Sequence, residues 1–141
     1  MTLFWLKIGV MIICVGTGTF SALALDGALV IVNPSVIADS LSANELKDIY
    51  IARTKYWENG QAIIIVILPD KTDAALQQAS GMDGSQFKTF WERLAFSGRG
   101  SEPEKAGDMA ALVAFVASTK GAIALVPTDA KLTGVKVIEI K

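Results

Sequence analysis

The chain has 141 residues, 13 Lys and Arg against 14 Asp and Glu, a net charge of −1, one cysteine and no histidine. A chain of this length builds one adequate core and not two, and its near-neutral charge offers no field for a phosphate backbone, so no nucleic-acid partner is expected. The missing imidazole excludes Ser/His/Asp and Cys/His nucleophiles and the ordinary zinc sites, and the chain reads as non-enzymatic, with no cofactor and no metal.

Residues 1–24 read as an export signal. Lys7 supplies the positive start, Ile8 to Phe20 is mostly apolar, and Ala22-Leu23-Ala24 gives the small-x-small pattern, so cleavage is expected after Ala24. The apolar stretch is shorter than the ~20 residues that span a bilayer, which disfavours a retained anchor. Cys14 lies inside this segment, so the domain of residues 25–141 has no cysteine and depends on its hydrophobic core. That domain is exported, to the periplasm or an equivalent compartment.

Ala28-Leu29-Val30-Ile31-Val32 is a β-branched apolar run ended by Asn33-Pro34-Ser35, a buried strand entering a turn. Ser42 and Glu45 have capping-box spacing ahead of Leu46, Ile49 and Tyr50, which predicts a helix over 43–52. Residues 62–68 are apolar throughout, as a strand covered on both faces should be. Pro69 to Asp73 then opens a short helix that stops near Gly81. Asp83-Gly84-Ser85 opens another, in which Phe87, Phe90, Trp91 and Leu94 form an aromatic stripe with the spacing of a core face. Ser97 to Pro103 is a connection, 108–118 an amphipathic helix, 122–126 a strand closed by Pro127, and 135–140 an alternating, half-buried terminal strand. Interleaved in this way, the elements predict an α/β fold, a mixed sheet flanked by helices.

Two loops have the chemistry to bind an anion. Pro69 to Asp73 leads into a helix start, where free amides and the dipole favour negative charge. There Lys71 adds a cation and Thr72 a hydroxyl, while Asp70 and Asp73 repel an anion unless one accepts a proton from it. In the second loop, the glycines of Ser97-Gly98-Arg99-Gly100 free the backbone to form a concave N–H nest around a guanidinium able to bind an oxyanion bidentately. The bland alternatives are a helix cap and a solvated loop. Glu102 and Glu104 flank Pro103 and read as solvated charge, and Asp70 with Asp73 matches no calcium loop. Trp57, Tyr56 and Tyr50 either form an exposed aromatic surface for a partner or cover the core.

Several segments in order resemble the periplasmic phosphate-binding proteins of ABC transporters, in particular the short PstS-like ones. Leu29 to Pro34 followed by Leu41-Ser42-Ala43-Asn44-Glu45-Leu46-Lys47-Asp48-Ile49-Tyr50 is similar to that family's first strand and its "Ls-x-x-eL-x-x-IF" helix. Trp57-Glu58-Asn59-Gly60 is similar to its "W-x-d-G", and Ser118 to Ile123 to its "x-tpGAIGY" strand entry. The resemblance covers roughly residues 28–140 and implies a single lobe of a periplasmic binding protein. It places Leu68-Pro69-Asp70-Lys71-Thr72-Asp73 where the family has an Arg and a "d-G-S-G-T" loop that grips phosphate, although the Arg and both glycines are absent here. The implied activity is binding of phosphate or another small oxyanion, with a transporter, a sensor or a second copy completing the cleft. The alternative is a ligand-free interaction or sensory accessory module of the cell envelope.

Overall fold

The computed structural model describes residues 27–69 and 71–141. The expected export signal, its cleavage point, Cys14 and Asp70 lie outside those residues.

β1 (Ala28–Val32) is the apolar run expected of a buried strand. A turn follows, in which the Ser35 amide donates to Asn33 Oδ1 at 2.9 Å. β2 (Ser40–Leu41) leads into α1 (Ala43–Tyr50), whose capping box is closed in both directions between Ser42 and Glu45. The helix stops two residues before the expected end because Ala52 takes a left-handed φ of 63° and the Arg53 amide turns back to Asp48 O at 2.8 Å.

β3 (Ile64–Ile67) is shorter than the apolar run that contains it. Ala62 bridges to Tyr56, and the Ile63 amide donates to Lys55 O at 2.9 Å, so 62–63 belong to a hairpin that precedes the strand. α2 (Asp73–Ser80) ends at left-handed Gly81, and α3 (Gly84–Phe96) starts from a second capping box, Asp83 with Gln86. β4 (Glu104–Lys105), α4 (Met109–Ser118), β5 (Ala122–Pro127) and β6 (Lys136–Ile140) complete the chain.

The six strands form one mixed sheet in the order β2-β6-β1-β5-β3-β4. β1 is antiparallel to both its neighbours, β5 and β6, while β3 runs parallel to β5 and β4, and β2 parallel to β6. Side chains alternate across it as strand geometry requires. Val30, Val32, Ile65, Ile123, Leu125 and Ile138 face α1, α2 and α3. Ile31, Val66, Ala122, Ala124 and Val126 face α4. The architecture is thus the expected α/β sheet flanked by helices.

Two polar anchors tie the ends of the layers together. Buried Asn33 donates through Nδ2 to the carbonyls of Val116 (2.8 Å) and Ala117 (3.0 Å), capping the carboxyl end of α4. Trp57 Nε1 donates to Gly121 O at 2.9 Å. Gly121 has φ of 80°, and a Cβ there would lie 2.2 Å from Ala62 O, so this close approach of two backbones admits only glycine. Trp57 and Tyr50 are both buried and belong to the core, whereas Tyr56 is 63% exposed.

Candidate functional site

In open α/β sheets the carboxyl ends of parallel strands are the ordinary place for a ligand, because helix starts converge there. At this end β3 delivers the chain through Leu68 and Pro69 to Lys71, Thr72 and α2. The amides of Lys71 (3.2 Å) and Thr72 (3.3 Å) both donate to Leu68 O, and Thr72 Oγ1 donates to the same oxygen at 3.0 Å. Thr72 is 4% exposed. Its hydroxyl closes the turn on Leu68 O. Thr72 does not cap α2 with its side chain. Lys71 is exposed and makes no ion pair with another described residue.

Asp73 occupies a telling position. It is in the first turn of α2, and its carboxylate lies against the first residue of α3: a Cβ built on Gly84 would come within 2.7 Å of Asp73 Oδ2. The two helix starts, each favourable to negative charge, are thereby served by a carboxylate of the chain itself. Beside it runs a cleft of about 490 Å³ with Ile67, Leu76, Phe87 and Trp91 along its floor and Lys88, Lys105 and Glu102 on its rim. A glycine that lets a carboxylate approach is the signal that could have pointed to this contact. The capping pattern at Asp83 hid it, because Gly84 reads there as an ordinary first helical residue.

The second expected loop lies at the opposite end of β3. Ser97 caps α3, Gly98 takes a left-handed φ of 74°, and the Gly98 and Arg99 amides donate back to Ala95 O (3.1 Å) and Leu94 O (2.9 Å), the paired bonds of a Schellman turn. The Ser97 amide reaches Arg93 O at 3.0 Å. The Gly98 and Arg99 amides of the expected N–H nest serve the carbonyl end of α3, where the helix dipole favours cations rather than anions. What remains for an anion is the exposed Arg99 side chain, whose Nε donates to Ser97 Oγ at 3.2 Å. Lys55 Nζ donates to Arg99 O and fastens the turn, with Gly100, to the hairpin at the amino end of β3.

Lys71 and Thr72 are thus separated from Ser97, Gly98, Arg99 and Gly100 by the length of β3, about 13 Å for its 4 residues at ~3.3 Å each. The six residues do not converge on one ligand. Sequence reasoning also passed over Lys55 and Arg93, both exposed. Each stands alone in a turn or a helix end, and only the return of the chain at Gly98 brings them near Arg99.

No family model matches the chain, and no curated protein matches it. Several solved structures with a similar fold are described as phosphate-binding proteins. A protein described as a phosphate ABC transporter substrate-binding protein from Clostridium perfringens, solved with bound phosphate, superposes with a TM-score of 0.63 at 17% identity, over 84% of this chain and 46% of its own. An ABC-type phosphate transport receptor from Vibrio cholerae gives 0.56 at 17% identity, over 84% and 47%. PstS from Borrelia burgdorferi gives 0.54 at 10%, over 84% and 48%. The chain spans about half the length of these neighbours, and at such identities the likeness concerns the fold, which among the described residues is a six-stranded mixed sheet with four helices that matches a single lobe of a periplasmic binding protein.

Proposed function

We propose that this chain is an exported, non-enzymatic, solute-binding-like lobe that takes phosphate or a related oxyanion at the carboxyl end of β3. The observation that carries the reading is the entry to α2. It lies at the carboxyl edge of parallel strands, Thr72 leaves the helix without a side-chain cap, and the Lys71 ammonium, which makes no ion pair with another described residue, stands beside it. That several structural neighbours are phosphate receptors, one with phosphate bound, supports the ligand class. The described residues present one wall of a cleft, and a transporter, a sensor subunit or a second copy is the proposed further partner.

The test is thermal unfolding of the exported chain with and without phosphate, sulfate and arsenate at constant ionic strength. At ~100-fold excess over the dissociation constant a bound oxyanion stabilises by about 2.7 kcal/mol, several degrees in midpoint. Lys71→Ala should abolish a phosphate-selective shift. An absent shift, or one that survives in Lys71→Ala, overturns the proposal.

The reading of a ligand-free interaction module is favoured by a different observation, the near-complete exposure of Phe96 at the other end of the molecule.

A further inference from the structure

We infer that the outer face of α3 is a docking groove for an acidic segment of a partner protein, with Arg93 and Arg99 reading its carboxylates and Phe96 anchoring an apolar side chain. This goes beyond the oxyanion proposal and does not depend on it, because Lys71 does not line the groove.

The groove, about 470 Å³, runs between α3 and the turn that folds back from it, and it is lined by Ser85, Gln86, Thr89, Phe90, Arg93 and Arg99 together with Leu94. It holds two guanidinium groups and no carboxylate, on a chain whose net charge is −1. Arg93 makes no ion pair among the described residues. Arg99 uses its Nε on Ser97 and keeps its terminal nitrogens for a ligand. The nearest carboxylate along the helix, Glu92, pairs with Lys88 at 3.9 Å and does not line the groove. A cation in the last turn of α3 is explained by the helix dipole. A second guanidinium folded back over the same groove is not, and two cations held together without an anion favour a ligand that supplies carboxylates.

Phe96 identifies the ligand as more than a small anion. It is 97% exposed and belongs to neither core cluster. It follows Arg93 by three residues and Thr89 by seven, so helical geometry puts all three on one face. An aromatic ring beside arginines is the usual composition of an interface anchor. From Ser85 to Arg93 the face extends about 12 Å, enough for several residues of an extended segment whose amides meet the hydroxyls of Ser85 and Thr89. A small oxyanion would leave Phe96 in water.

The experiment is fluorescence anisotropy of the full exported chain with a fluorescein-labelled octapeptide of Asp and Glu carrying one central leucine. It is run beside the Asn/Gln version of that peptide, a version with glycine for leucine, inorganic phosphate, and vesicles of phosphatidylglycerol. The acidic peptide should bind, more tightly at low salt and at least about tenfold better than its neutral version. Arg93→Ala with Arg99→Ala should remove that preference, and Phe96→Ala should weaken the leucine peptide while leaving the glycine version unchanged. These side chains are exposed, and circular dichroism of each variant verifies the fold. No binding, equal binding of the neutral peptide, an unaffected double variant, or binding of vesicles without binding of peptide overturns the inference. Phosphate binding that fails in Lys71→Ala but persists in Arg93→Ala with Arg99→Ala bears on the oxyanion proposal alone.

Discussion

Asn33→Asp isolates the polar clamp between β1 and α4. The replacement keeps the oxygen that accepts from the Ser35 amide and removes only the two donors that reach Val116 O and Ala117 O. Two such bonds contribute about 2 kcal/mol, and a carboxylate at a helix carboxyl end costs about 1 more, so the variant should lose about 3 kcal/mol at neutral pH. For an m-value of ~1.5 kcal/mol/M this lowers the urea midpoint by ~2 M, a shift that the fluorescence of Trp57 and Trp91 reports. The loss also depends on pH. Burial among carbonyls holds the new carboxyl neutral to a higher pH in the folded chain than in the unfolded one, where it titrates near ~3.9. Between those two values the folded state binds more protons, so stability falls as pH rises through the window and the full penalty stands above it. On acidification the neutral acid donates one hydrogen to Val116 or Ala117, and the difference from wild type narrows. A loss under about 1 kcal/mol at pH 7, or a difference constant from pH 7 down to pH 4, would refute the clamp.

Tyr50→Phe should stabilise the fold by about 1 kcal/mol, because the buried hydroxyl has no hydrogen-bond partner among the described residues. Burial pushes the Tyr50 phenol above its ordinary value of 10.0. The unfolded chain therefore ionises first, so wild-type stability falls as pH rises above 10.0, and the variant should lose that part of the alkaline slope in urea melts. Asp73→Asn should tighten phosphate binding about threefold or more, since two unit charges ~6 Å apart in water-like surroundings repel by ~0.7 kcal/mol. Isothermal titration measures it, and weaker binding would instead make Asp73 an acceptor of the oxyanion's own proton.

What could be read in advance followed from local signals. The Ser42 and Glu45 capping box, the apolar run of β1, the aromatic stripe of α3 and the Pro127 stop each act within one turn or one strand, where propensity and period decide. The two-residue strands β2 and β4 carry no period, and only their pairing with β6 and β3 defines them. The reversal of β1 against its neighbours is likewise a tertiary choice. Ala52 misled in the other direction, because a good helix former holds the left-handed position that glycine usually fills. At the candidate site, residue types were legible and their partners were not. Nothing local says that the Thr72 hydroxyl turns inward, whereas Gly98 just past the α3 pattern is a local helix-stop signal that the reading of a glycine-flanked guanidinium overrode.

The same geometry that separates the two expected anion loops gives each a distinct capacity. At the carboxyl end of β3, helix starts, Lys71 and Asp73 meet where a sheet of this kind ordinarily holds a small ligand, and the chain's own carboxylate attenuates the site. At the amino end, a Schellman turn places a helix carboxyl terminus, so any affinity for negative charge comes from side chains that reach outward. Guanidinium groups on an exposed helix face suit a macromolecular partner better than a buried ion, because they need no enclosing wall. An outward, aromatic and arginine-bearing face thus suits the acidic partner segment proposed above.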